Sequence, residues 1–175
     1  MARFVDRFVQ DGIDQPIDVI IDPDERDLVD IRQKRLRHHW WAAHREREGL
    51  PTRADISASF LDDIADFTAV VSRNGNTLRY ESFGKGLARA YGRDMTGESV
   101  DALPALIGQL FRSVYLLSEM KMAPVFTRHS PPAEIPVDYW LRLVVPFGEN
   151  IPLEVSHYIV CSIPVARPEP DSAKR

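Results

Sequence analysis

The 175-residue sequence contains a single cysteine, Cys161, and no apolar run as long as the roughly 18 residues that a membrane-spanning helix needs. One cysteine excludes an internal disulfide framework and a metal site made only of cysteines. The N-terminal stretch is acidic and lacks a continuous apolar region, so it is not expected to be a signal peptide. These features predict a cytoplasmic protein that does not enter a membrane.

The signatures of common nucleotide-binding and hydrolytic sites are missing as well. The sequence has no phosphate-binding loop, no nucleophile elbow and no glycine-rich dinucleotide fingerprint. Its formal net charge is −4, which gives no general reason to expect a nucleic-acid partner. We therefore expect neither catalysis through one of these motifs nor nucleic-acid binding.

The first third of the chain contains an acidic segment followed by a basic one. Residues 1–25 carry seven acidic side chains and two arginines and are interpreted as an acidic arm. Residues 26–50 carry seven Lys or Arg side chains and are predicted to form one helix that ends at Gly49 and Pro51. Residues 51–66 mix polar and apolar side chains and are interpreted as a connector to the main domain.

The rest of the chain alternates between β-rich and helical patterns. Residues 67–83 form two β-rich runs joined by Asn74-Gly75-Asn76, a strong hairpin signal. Residues 104–121 begin with proline and have a broad apolar face, which predicts a helix. Residues 123–129, 137–147 and 153–163 predict three more strands, the first at a sheet edge because it contains Pro124. The Pro-rich residues 166–175 are expected to be disordered.

Glycines interrupt the segment SFGKGLARAYGRDMTGESVDAL (residues 82–103), which follows the hairpin. Such a segment predicts short, broken helices that cross the face of a sheet rather than one long rod. The order of hairpin, short helices, long helix and three strands predicts an α+β domain over residues 67–165. We expect a five-stranded antiparallel sheet with these helices on one face, preceded by the N-terminal helix.

The residues GLARAYGRDMTGESVDAL (86–103) resemble the helical crossing of PAS domains. The Trp-containing basic helix followed by LPTRADI (50–56) is similar to the start of the small bacterial stand-alone PAS proteins. Gly84-Lys85 stands where that group tends to have a Gly-Thr step. The resemblance covers about residues 34–164 and implies the strand order 2-1-5-4-3. It also implies a sensory or signalling module rather than an enzyme.

The same resemblance bears on cofactors. Haem-binding PAS domains usually take their iron ligand from the longer helix, and residues 104–121 contain no histidine. PAS-like blue-light sensors carry the flavin-linking cysteine on a helix, whereas Cys161 lies in a β-rich run and is expected to be a buried, inert thiol. The expectation is therefore a chain without helix-ligated haem or cysteine-linked flavin, and an unidentified small ligand stays open.

A mostly apolar pocket is predicted between the sheet and the helical crossing, because glycine-broken helices pack less completely than rods. Strand alternation places His157 among apolar residues, so His157 is the predicted polar anchor. The remaining predicted wall residues are Tyr80, Tyr91, Leu110, Phe111, Val114 and Leu143.

The basic N-terminal helix carries large apolar residues on a narrow stripe, which is typical of a helix that also meets a second copy. The predicted homodimer interface consists of Leu36, Trp40 and Trp41. His38, His39 and His44 include no pair at i and i+4 and are interpreted as a solvated basic face rather than metal ligands.

Three functional hypotheses remain at this point. The preferred one is a non-enzymatic PAS-like module that binds a small molecule or a signalling protein. The second is a small α+β enzyme whose cavity uses His157 as acid or base. The third is a ligand-free adaptor that recruits partners through its sheet, and a cavity would count against this third hypothesis.

Overall fold

The computed structural model describes residues 2–10, 13–47, 49–131, 135–149 and 154–166. These residues form an α+β fold with one seven-stranded antiparallel sheet in the order β1-β2-β5-β6-β7-β3-β4. The strands are β1 (Ala2–Gln10), β2 (Ile13–Ile21), β3 (Thr68–Asn74), β4 (Thr77–Phe83), β5 (Val125–His129), β6 (Val137–Phe147) and β7 (His157–Ala166). The α-helices are α1 (Ile31–Arg47), α2 (Ala58–Ile64), α3 (Lys85–Tyr91) and α4 (Ala105–Lys121).

Several of these elements confirm the sequence patterns. Asn74 pairs with Thr77 across a two-residue turn, and Gly75 takes the positive φ of 57° that this turn requires. Helix α4 begins directly after Pro104 and ends at Lys121, as its apolar face predicted. Strand β6 has the predicted bounds. Residues 167–175 lie outside the described residues, so the expected disorder of the C-terminal tail stays a prediction.

The sheet is larger than the five strands expected, because part of the acidic arm forms the hairpin β1–β2. Strand β2 pairs with β5 from Asp18 opposite Arg128 to Ile21 opposite Val125. The prediction that β5 is an edge strand is therefore wrong. Pro124 precedes β5 without interrupting its ladder, and its carbonyl accepts a hydrogen bond from the Asp22 amide at 2.8 Å.

Helix α1 packs on the sheet face opposite α4, so the helices do not all lie on one face. The Gln33 side chain donates to the carbonyls of Leu141 and Cys161, both at 3.0 Å. The Trp40 indole donates to the carbonyl of Pro146 at 2.6 Å. With both faces covered, β6 is continuously buried from its fourth residue to its end. Among the described residues, no helix is long and apolar enough to span a bilayer.

The burial of α1 changes the predicted dimer interface. Leu36 and Trp40 are completely buried within a single chain, so they cannot contact a partner. Trp41 is half-buried, and its indole donates to a carboxylate oxygen of Asp22 at 3.0 Å. Exposed large apolar side chains at the start of α1 are Val29, just before the helix, and Ile31, its first residue. The homodimer itself stays a prediction, without Leu36 and Trp40 as its interface.

The predicted connector is ordered and explains the glycine that opens α3. It contains α2 between two short 3₁₀ turns, Arg53–Asp55 and Ala65–Phe67. The second turn approaches Gly84 so closely that a Cβ there would lie 2.2 Å from the Ala65 carbonyl oxygen. Gly92 ends α3 at a φ of 90°, which favours glycine. The broken crossing is thus fixed by one close contact and one left-handed cap.

Candidate ligand cavity

A cavity lies between the sheet and the helices α3 and α4. Its volume is about 70 Å³, which is room for several waters or a small organic molecule. Sheet residues from β3, β4, β5, β6 and β7 form its floor, and α3, α4 and the segments beside them form its roof. Its lining consists of Ala69, Tyr80, Phe83, Leu87, Tyr91, Leu103, Pro104, Ile107, Phe111, His129, Pro131, Ile135, Trp140, Arg142 and Ser162.

Three of the predicted wall residues line this cavity, namely Tyr80, Tyr91 and Phe111. Leu110 and Val114 are buried in the surrounding core instead. Leu143 is fully buried among the odd-numbered positions of β6, on the sheet face that α1 covers. Those three side chains stabilise the fold without lining the cavity.

His157 does not line the cavity, so the predicted polar anchor is wrong. It pairs with Phe147 at the end of β6, in the odd-numbered set of sheet positions that face away from α4. Its Nε2 lies 3.1 Å from Glu81 Oε1, and its Nδ1 lies 2.9 Å from Ser156 Oγ. The protein therefore satisfies this imidazole outside the cavity.

Arg142 is the polar residue that the sequence interpretation missed. It lies in the middle of β6, is only 2 % exposed and lines the cavity. Its Nη2 donates to the Tyr115 hydroxyl at 2.5 Å, and its guanidinium lies 3.9 Å from the centre of the Phe111 ring. Its Nη1 is buried without a hydrogen-bond partner among the described residues.

His129 is the second buried polar group of the lining. It is 3 % exposed, and its ring meets that of Phe111 edge-on with 5.5 Å between centres. Burial, reinforced by the positive charge of Arg142, lowers the pKa of His129 to about 3. The imidazole is therefore neutral at physiological pH, and its Nδ1 has no partner among the described residues.

Arg142 is absent from the prediction because the prediction places the wrong face of the last two strands under the helical crossing. His129 lies on β5, whose faces the prediction does not assign. The odd positions of β6 are uniformly apolar, which predicts that they form the covered face and that Trp140 and Arg142 lie on the opposite one. In the structure the even positions Arg142 and Ser162, which pair across β6 and β7, line the cavity. The run VVPF at the end of β6 carried the missed signal, since continuous apolar residues indicate burial on both faces.

The hydroxyls of Tyr80 and Tyr115 lie near Arg142. We call the part of the cavity around Arg142 and His129 the polar corner. Burial raises the pKa of Tyr80 well above its ordinary value, and the neighbouring Tyr115 adds to this rise. Burial also raises the pKa of Tyr115, opposed by the charge of Arg142. Both hydroxyls therefore keep their protons and can donate or accept hydrogen bonds beside the guanidinium.

Cys161 is fully buried, which confirms the expectation of a buried thiol. Burial raises its pKa to about 12, so it carries no thiolate at neutral pH. The nearest charges that influence it are Asp30 and Arg32, beside the start of α1 on the face away from the cavity. This thiol therefore has no place in the cavity chemistry.

The histidines of α1 differ from the solvated face that was predicted. His38 is exposed, but His39 packs 4.5 Å from the Phe60 ring and His44 stacks 4.8 Å from the Trp40 ring. The His44 Nδ1 also lies 2.6 Å from the Gly49 carbonyl oxygen. Within the described ranges, no cluster of three or more His, Cys, Asp or Glu side chains is placed to hold a metal ion.

Comparisons with known proteins add no assignment to this geometry. The chain matches no protein-family model, no curated protein and no solved structure. The cavity and the strand order are therefore the features that bear on function.

Proposed function

We propose that this chain is a non-enzymatic, PAS-like module that binds a small molecule in the cavity between the sheet and the helices α3 and α4. The observation that carries the proposal is the cavity itself. Its walls are mostly aliphatic and aromatic, while two deeply buried polar side chains, Arg142 and His129, converge on it. An apolar cavity with a few convergent polar groups is the usual form of a small-molecule site.

The order of the strands supports the PAS likeness. The five strands that follow the connector lie in the order β4-β3-β7-β6-β5. Numbered along the chain from β3, this order is 2-1-5-4-3, the one that the resemblance implies. Helices α3 and α4 connect the second and third of these strands, as the resemblance also implies.

Two features depart from the implied fold. The hairpin β1–β2 extends the sheet beyond β5, and α1 covers the second sheet face. An adaptor that recruits partners through its sheet needs an open face, but the central strands β6 and β7 are buried along most of their length. The covered sheet and the cavity therefore favour ligand binding over the adaptor hypothesis.

The ionisable groups of the cavity favour binding over catalysis. A general acid or base works best when its pKa lies near the operating pH. The pKa of His129 is about 3, and burial raises the pKa values of Tyr80 and Tyr91 above an already basic range. His157, the proposed acid or base of the enzyme hypothesis, contacts Glu81 outside the cavity. No described lining residue is thus poised for proton transfer at neutral pH.

Native mass spectrometry of the purified full chain tests the proposal. The expected result is a retained small molecule, which is released when the protein is denatured. Ala69→Leu should reduce the retained fraction, because Ala69 is 2 % exposed and its larger replacement would project into the cavity. Ala58→Leu is the matched control, since Ala58 is exposed on α2.

The outcome that contradicts the proposal is equally specific. The small-molecule function fails if the wild-type chain carries no bound mass and binds neither charged nor neutral small molecules in titration calorimetry. It also fails if Ala69→Leu retains a bound molecule as fully as Ala58→Leu, because the molecule would then lie elsewhere.

A further inference from the structure

Arg142 places a permanent positive charge beside an apolar cavity. Arginine side chains are not deprotonated in proteins. None of the ion pairs formed by the described residues includes Arg142. Its nearest polar contact is the neutral Tyr115 hydroxyl, and its Nη1 is buried without a partner among those residues. A buried charge of this kind is normally paired with an opposite charge.

The residues next to Arg142 add further hydrogen-bond donors to the polar corner. Nη2 donates to Tyr115, whereas Nη1 is buried without a partner among the described residues and is available to a ligand. His129 is neutral and holds one N–H, and its Nδ1 also lacks a partner among the described residues. Ser162 pairs with Arg142 across the strands and adds a hydroxyl to the lining. One anionic group of low charge can use these donors together.

The remaining lining residues determine which hydrocarbon part of a ligand the cavity accepts. Leu87, Leu103, Ile107, Phe111 and Trp140 surround the polar corner with aliphatic and aromatic surface. A metal ion is disfavoured because the corner carries a positive charge, and a highly charged phosphate would leave most of its oxygens facing apolar walls. The small volume further limits the ligand to a compact molecule.

Together these observations define a site for an organic anion with an apolar tail. We propose that the cavity binds a small aliphatic or aromatic monocarboxylate, whose carboxylate contacts Arg142 and His129 and whose hydrocarbon part packs between α3, α4 and the sheet. This inference rests on the proposed function, because it names the ligand class of the same cavity. The acidic residue nearest in sequence to the lining residues Pro131 and Ile135 is Glu134, which lies outside the described residues.

Titration calorimetry with carboxylates and their neutral amides tests the charge of the ligand without altering the protein. The probes are butanoate, hexanoate and benzoate, each against butanamide, hexanamide or benzamide. A charge-assisted contact should make at least one carboxylate bind about tenfold to a hundredfold more tightly than its amide. If the amides bind as tightly as the carboxylates, the monocarboxylate inference is overturned while the ligand cavity stands. If neither class binds and no retained mass is found, the proposed function fails instead.

Substitutions then locate the charge that recognises the carboxylate. Arg142→Met should weaken carboxylate binding by about tenfold or more and leave amide binding nearly unchanged. Arg142→Lys keeps the positive charge and should retain part of the preference for carboxylates over amides. If it does, the weaker binding of Arg142→Met comes from the lost charge and not from loss of folding. Arg128→Met is the matched control, because Arg128 is exposed on the neighbouring strand and its guanidinium packs over Tyr139. Equal carboxylate affinity in Arg142→Met and Arg128→Met would overturn the assignment of Arg142.

Glu134→Gln tests whether the chain itself supplies the anion. If the carboxylate preference is unchanged in Glu134→Gln, Arg142 is free to pair with a ligand, as proposed. If the wild-type chain binds no carboxylate and Glu134→Gln gains that binding, Arg142 is neutralised within the chain and the inference is overturned.

Discussion

Acid should destabilise the ligand-free chain through His129. The imidazole is 3 % exposed, and burial together with the charge of Arg142 lowers its pKa from 6.5 to about 3. In the unfolded chain His129 regains its ordinary pKa. At any pH between the two pKa values, the unfolded state therefore binds a proton that the folded state does not. The free energy of unfolding therefore falls as the pH drops below 6.5 and is unaffected by this group well above it.

The size of the effect follows from the same pKa difference. Each pH unit below 6.5 is worth about 1.4 kcal/mol, which gives a loss of about 2 kcal/mol between pH 7 and pH 5. Urea denaturation at both pH values, followed by circular dichroism, measures this loss. His129→Gln removes the titrating group, so its loss of stability should be about 2 kcal/mol smaller than that of the wild type. His38→Gln, a change at an exposed histidine, should behave like the wild type.

One result would contradict the buried neutral state of His129. If the wild type and His129→Gln lose the same stability to within about 0.5 kcal/mol, the imidazole takes up its proton freely in the folded chain. The protein must first be freed of any retained ligand, because a bound anion would raise the pKa of His129 and weaken the pH dependence. Native mass spectrometry provides that control.

Three further predictions concern the packing of the fold around the sheet. Gly84→Ala should lower the free energy of unfolding by about 2 kcal/mol or more in urea denaturation, because the new Cβ would meet the Ala65 carbonyl. Gly92→Asn, at a positive φ with open space around it, should lower it by less than 1 kcal/mol, and equal effects of the two changes would refute the close contact at Gly84. Trp40→Ala should destabilise the chain by about 3–5 kcal/mol in the same assay, and a loss of dimer mass in light scattering without loss of stability would show an interface instead. Cys161 should not react with Ellman's reagent in the folded chain but should react fully in denaturant, and rapid reaction without denaturant would contradict its burial.

Local patterns were sufficient to predict the elements whose signals are contained in their own residues. Asn74-Gly75 determines a tight turn through backbone conformation, and Pro104 with the apolar face behind it determines the start of α4. The strand β6 and most of β7 follow from β-rich apolar patterns, although β7 begins at His157 and ends at Ala166, whereas the predicted strand is 153–163. These features depend on neighbours along the chain, which a single sequence displays directly.

The features that were missed depend on what covers each face and edge. The hairpin β1–β2 turns β5 into an inner strand, and α1 covers the sheet face that carries Leu143 and Cys161. Alternation in β6 indicates which residues share a face, but it does not say which face meets α4. Because α1 covers the odd-numbered face, Arg142, at an even position, lies under α4. His157, at an odd position, faces away from the cavity. The location of the cavity was thus predictable from the broken helices, while its polar residues were not.

The ligand cavity can be observed directly in a crystal of the full chain grown with saturating benzoate or hexanoate. We predict density for the ligand between the sheet and the helices α3 and α4, with its carboxylate within hydrogen-bond distance of Arg142. A cavity free of ligand density, or a carboxylate bound only on the surface of the protein, would contradict the central claim that this fold is built around a small-molecule site.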